Sequence, residues 1–177
     1  RDSSPSRGLG VVYKRQISSF QLAIVFICFL LNVIDGMDVL VISYTAPSIV
    51  SFWDISPETL GIVFSSGLFG MAIGALFLAP YADKVGRKNI ILISTIIISF
   101  GVFFTAFSKN IIHLTSLRFL SGIGIGTMLA STVSLVSEYT PDRSKDFWIS
   151  FVLAGYPLGA IFAGYLSNTI LLKYSCL

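Results

Sequence analysis

Charge is scarce in this sequence. Only 12% of its 177 residues are Asp, Glu, Lys or Arg, about half the ~25% usual in soluble domains. Histidine occurs once, at His113, and cysteine twice, at Cys28 and Cys176. One imidazole and two distant thiols supply neither a metal-ligand cluster nor a disulfide framework. No phosphate-cradling glycine loop or nucleophile–base set stands beside the acids, so the sequence is not expected to be an enzyme. No metal and no cofactor is expected. What is abundant is apolar: 54% hydrophobic residues, fifteen Phe, fifteen Gly and a mean hydropathy of +0.84. This is the composition of membrane spans.

A hydrocarbon core about 30 Å thick takes roughly 20 apolar residues of helix. Five such segments are predicted: Phe20–Ser48, Thr59–Ala79, Ile90–Phe107, Leu114–Ser137 and Phe147–Leu172. The runs are too long and too unalternating for barrel strands. The expected fold is therefore all-α, a polytopic membrane helix bundle. Ser56 before Pro57 reads as the cap and first residue of the second helix. The second connector carries Lys84, Arg87 and Lys88, and the fourth carries Arg143 and Lys145. The first has no basic residue and the third only Lys109. Basic loops stay in the cytoplasm, so the chain is expected to start on that side of a cell membrane.

The head Arg1–Gln16 holds four basic residues and one acid, while the rest carries eight of each sign. It is set aside as a non-native or disordered segment, leaving residues 17–177 as the transmembrane domain. The tail "LLKYSCL" follows the fifth span directly, so the chain is expected to be truncated there.

Against this background, Asp35 and Asp38 stand out in "LLNVIDGMDVLVI". An acid at the bilayer centre costs at least ~2.5 kcal/mol and is tolerated where it faces a cavity or a partner. Residues three apart share a helix face. Two such carboxylates in a low dielectric do not both ionise readily, so the couple is expected to take up and release a proton. Gly36 between them allows close helix approach or local unwinding. Arg118, near the outer end of the fourth segment, is an interior partner for the acids or for an anion. Its alternative is snorkelling to the surface. His113 reads as an exposed loop residue.

"PYADKVGRKNIIL", Pro80–Leu92, resembles the connector between the second and third spans of the major facilitator superfamily, with Asp83, Lys84, Gly86, Arg87 and Lys88 in its acidic, basic and glycine places. "RFLSGIGIG", Arg118–Gly126, is similar to a second motif of that family. "DGMD" followed by Pro47, together with "WDISPETLG", "ADKVGRK" and "SEYTPDRSK", resembles the aromatic acid:proton symporters. The resemblance implies an N-terminal half of six helices, of which about five are present, and a partner in the missing C-terminal half of the same protein. It also implies proton-coupled uptake of small aromatic carboxylates by alternating access, the proton being the coupling ion. Asp35, Asp38 and Arg118 would couple proton and substrate. Asp83, Lys84, Gly86, Arg87 and Lys88 would form an inner-gate cluster with Glu138, Arg143 and Lys145. Gly36, Gly70, Gly74, Gly122, Gly124, Gly126, Gly155, Pro157 and Gly159 are packing or hinge positions. Carriers of sugars or other metabolites, drug antiporters and a non-transporting scaffold or sensor are the alternatives. The lipid bilayer is an expected partner and nucleic acid is not.

Overall fold

The computed structural model describes residues 18–174, and among them every regular element is helical. Helix α1 runs Ser19–Trp53, α2 Pro57–Ile73, α3 Ala82–Val85 and α4 Arg87–Thr105. Then follow α5 Ile111–Tyr139, α6 Lys145–Leu153 and α7 Gly155–Tyr174. They make five stretches long and apolar enough to cross a membrane: Ser19–Ser51, Glu58–Val85, Arg87–Thr105, Ile111–Tyr139 and Asp142–Ile170. Helices suit that setting because every backbone donor meets an acceptor within the same segment, where lipid offers none. The head Arg1–Gln16 and Cys176 lie outside the described residues.

Local chemistry sets the ends. Thr59 N–H donates to Ser56 Oγ at 3.4 Å, capping α2. Helix α1 stops at Asp54, which takes a left-handed φ of 49°, a conformation that the short acid tolerates. Gly86, at φ 95°, turns the chain between α3 and α4 through a region that disfavours any side chain.

Two spans are broken inside, each by a proline. Pro80 cannot donate to the Leu76 carbonyl, and the second span passes through a π-helical turn, Gly74–Leu78, and a 3-10 turn, Ala79–Tyr81, before α3. Pro157 likewise leaves the Leu153 carbonyl without its helical donor, and α6 ends at that residue. The first span, which contains Pro47, continues through it as helix.

Helix α5 is the centre. It packs along α2 on one side and α4 on another, while α1 lies along α7 and barely touches α2. More than half of the apolar window of α5 is buried, against less than a third in each other span. Large apolar side chains such as Phe20, Leu76, Ile96 and Phe103 point outward, as lipid-facing residues do. Between lipid-immersed helices there is no water to expel, so association depends on close packing of small residues.

The glycines supply it. A Cβ on Gly36 would overlap the Tyr156 carbonyl, and one on Gly159 would overlap that of Val33. These contacts set the α1–α7 register. Gly122 meets the backbone of Gly67, Gly126 that of Met71, and Gly70 and Gly74 those of Phe119 and Ile123, which sets α2 against α5. Gly124 admits Ile98 of α4. Gly155 and Gly159 thus serve contact with α1, and the interruption of the fifth span falls where Pro157 withholds a donor. Gly36 provides approach without unwinding, since α1 stays helical around it.

Gly126→Leu in the full-length protein is expected to lower stability by about 3 kcal/mol, as an overpacked backbone contact does. Gly61→Ala, with open space around it, should stay within about 1 kcal/mol of the parent. Thermal unfolding in detergent checks both.

Candidate functional site

Helix α1 carries its two acids into different surroundings. Asp35 is buried, at 1% exposure, and neither carboxyl oxygen has a hydrogen-bond partner. One turn on, Asp38 meets a cation. Arg118, from the first half of α5, donates through Nη1 to Asp38 Oδ2 at 3.2 Å and Oδ1 at 3.3 Å, and to the Asp38 carbonyl at 3.3 Å. The side chains of this pair are only 11% and 9% exposed. Arg118 therefore points inward, toward the acids, and does not snorkel.

Two further residues complete this region. Asn32 precedes Asp35 by three positions and is 1% exposed. Its Nδ2 donates to the Cys28 carbonyl at 3.0 Å, while its Oδ1 has no partner. Tyr156 of α7 lies across from Gly36, its backbone at van der Waals limit. Neither residue follows from the motifs. Asn32 was legible only as a polar residue spaced one helical turn from Asp35 in an otherwise apolar run.

Arg118 also forms part of the wall of a cavity of about 220 Å³ between α1, α2 and α5. Val63, Phe64, Met71 and Ile125 line it with Ser43, so its surface is largely apolar with one cation at the edge. A cavity of about 150 Å³ holds benzene. This one has room for a single ring with small substituents.

The second set of predicted residues gathers at the far end of the bundle, where α3, α4 and the end of α5 meet. Arg87 Nη2 lies 3.1 Å from Asp83 Oδ1 and 2.8 Å from Glu138 Oε1, and Arg87 Nε donates to Glu138 at 2.9 Å. One guanidinium thus ties the connector after α3 to α5. Lys145 instead pairs with Asp142 at 3.2 Å within its own segment, and Lys84 lies over the Tyr81 ring at 5.5 Å. Among the described residues Lys88 and Arg143 form no ion pair. The expected eight-residue cluster is therefore a three-residue one, Asp83–Arg87–Glu138, with Gly86 shaping the turn. Lys84, Lys88, Arg143 and Lys145 form no ion pair with this trio, and long Lys and Arg side chains at an exposed surface gain little from fixed pairing. His113 stands in the first turn of α5, not in a loop.

The five spans agree with the comparison to family models. The Major Facilitator Superfamily model matches residues 28–175. The chain belongs to the Major Facilitator Superfamily. Among its relatives, it is 38% identical over 153 residues to the gallate transporter of Pseudomonas putida, covering 86% of this chain and 34% of that protein. To the 4-hydroxybenzoate transporter PcaK of Pseudomonas aeruginosa it is 37% identical, covering 88% and 35%. The gentisate transporter of Corynebacterium glutamicum is 32% identical, covering 87% and 35%. These superfamily relatives are transporters, and the chain spans about a third of their length.

Within this superfamily member, removing one partner of the buried pair exposes the cost of the other. Arg118→Met in the full-length protein should cost about 3–5 kcal/mol by leaving Asp38 unpaired. Adding Asp38→Asn should recover most of that loss. Chemical unfolding of the single and double variants tests the coupling.

Proposed function

We propose that the full-length protein is a proton-coupled symporter of small aromatic carboxylates. It would work by alternating access in the cell membrane, with the start of α1 on the cytoplasmic side. The observation that carries this reading is the unequal treatment of two acids one turn apart. Asp38 is held by Arg118, while Asp35 is buried without a donor. The transport of gallate, 4-hydroxybenzoate and gentisate by the relatives named above supports the substrate class.

The charge balance gives the coupling. An ionised carboxylate with no donor is the costly form in a low-dielectric interior, so Asp35 is the group that holds a proton. With Asp38 and Arg118 paired, the site is then neutral. An entering carboxylate competes with Asp38 for the same guanidinium, whose Nη1 makes the Asp38 contacts. When it takes Arg118, Asp38 is left as an uncompensated charge unless Asp35 passes its proton on and is reloaded from outside. One substrate anion and one proton together restore neutrality, and neither does so alone. The apolar walls beside Arg118 would take the ring, and the ligand's carboxylate would lie at the cation.

The Asp83–Arg87–Glu138 cluster has a separate part. It would latch the cytoplasmic ends of the second, third and fourth spans in one state and release them in the other. Exposed pairs of this kind are worth about 0–1 kcal/mol each, which suits a contact that must break on every cycle. In a protein as long as these relatives, further helices would supply the opposite wall of the path, and no bound cofactor other than the coupling proton is invoked.

Asp35→Asn and Asp38→Asn in the full-length protein should each abolish proton-driven accumulation of a labelled benzoate-type acid while leaving membrane insertion intact. Uptake with and without a protonophore is the measurement. Undiminished accumulation in both variants would reject the coupling role.

A further inference from the structure

The transport reading leaves one buried group without a task. Asn32 is as completely enclosed as Asp35, each at 1% exposure, and nothing in the coupling scheme uses it. A neutral amide in an apolar span is costly unless both of its ends find partners. Only one does.

The orientation of this amide is fixed by chemistry. Nδ2 donates to the Cys28 carbonyl at 3.0 Å. Turning the amide over would put oxygen against oxygen there, so Oδ1 is the end that remains unpartnered. Residues three apart share a helix face, so the Asn32 amide and the Asp35 carboxyl are neighbours one turn apart on α1. Asp35 Oδ1, Asp35 Oδ2 and Asn32 Oδ1 are all buried atoms without partners, one helical turn apart on one helix.

Three acceptor oxygens cannot satisfy one another. Adding one proton changes that, because a neutral carboxylic acid is a donor. The buried Ser131 Oγ also has no partner, but a hydroxyl can donate to a carbonyl of its own helix, as Thr127 does to Ile123 at 2.7 Å. An amide oxygen has no such recourse. The geometry points to Asn32 as the positioning residue for the coupling proton: its Oδ1 accepts a hydrogen bond from protonated Asp35 and turns away the ionised form. The inference rests on the transport reading above and adds a residue to it.

The contact lies on the α1–α7 seam. A Cβ on Gly155 would come within 3.3 Å of Asn32 Cβ, so Asn32 is wedged by the helix that also presses Tyr156 onto Gly36. The titratable and charged groups around Asp35 are Cys28 and Asp38 on α1, Arg118 on α5 and Tyr156 on α7. Of these, Arg118 is bound to Asp38. Losing the proton would leave two acceptors face to face and drive the carboxylate out of this seam toward the Asp38–Arg118 side. Proton occupancy is thereby converted into a side-chain position at a helix–helix contact.

The test uses the full-length protein with Asn32→Val, Asn32→Thr and Asp35→Asn. Each is measured for proton-driven accumulation of a benzoate-type acid over a pH series, and for exchange of labelled against unlabelled substrate. A neutral hydrogen bond of about 1 kcal/mol stabilises the protonated form, so its loss weakens proton binding. Asn32→Val should therefore lower the pH of half-maximal accumulation by up to about one unit, with exchange preserved. Asn32→Thr, whose hydroxyl still accepts, should restore most of the shift. In purified protein, the infrared carbonyl band that Asp35→Asn removes should move to higher frequency in Asn32→Val. Asn32→Ala carries the same expectation should the valine variant fail to insert. An unmoved midpoint and band, or equal loss of accumulation and exchange in the Val and Thr variants, would overturn the inference. If Asp35→Asn abolishes accumulation while the Asn32 variants behave like the parent, only this inference falls. Full accumulation by Asp35→Asn would remove the part that Asp35 has in the transport reading itself.

Discussion

Helices immersed in hydrocarbon gain little by hiding apolar side chains from one another, so this bundle depends on how closely its backbones approach. Glycine decides where that is possible. Gly36 and Gly159 bring α1 onto α7, and Gly67, Gly70, Gly122 and Gly126 bring α2 onto α5. These contacts lie in the middle of their spans. They fix the rotation of α1, and through it the direction in which Asp35 and Asp38 point. The electrostatic site is thus a consequence of packing by residues that carry no charge.

Packing alone would leave the two acids equivalent. Arg118 separates them. Its guanidinium reaches Asp38 through both carboxyl oxygens and the main-chain carbonyl, which fixes it more firmly than a single contact would. A buried pair of this sort is weak evidence for stability, since desolvation offsets most of its attraction. It is better suited to a group that exchanges partners. The apolar cavity whose wall includes Arg118 would give the exchange proposed above a place to occur.

Much of this was legible in the sequence, and the limits have physical causes. Five spans follow from run length and hydropathy because lipid thickness imposes a length. The connector glycine at Gly86 was legible because few residues adopt its backbone conformation. Motif spacing also located the acids and Arg118. What the sequence left open was which acid Arg118 would choose, because residues 35 and 38 share a face and their distances to α5 depend on helix rotation. The Arg87–Glu138 contact spans 51 positions, and local patterning carries no information at that separation. Lys145 went to Asp142 because a neighbour three residues away costs less chain ordering than a distant one. The π-helical turn before Pro80 escaped notice for a different reason. A missing donor predicts that the ladder is disturbed but not whether it widens or tightens.

Under the proposed transport cycle, the asymmetry of the α1 acids also bears on why two are present. A single carboxylate bound to Arg118 would be neutral already and would have no reason to take a proton while paired. A single carboxylate without a cation could bind a proton but could not sense the substrate, because nothing would compete for it. Placed one turn apart, the acids divide these properties, and their mutual repulsion links them: each charge on one raises the cost of charge on the other. Moving Asp35 by one position would rotate it about 100° around the helix, off the Asn32 face, and at position 36 its side chain would strike the Tyr156 backbone. The spacing of three keeps both acids on one face of α1, which in the proposed transport cycle makes it a constraint on coupling as well as on packing.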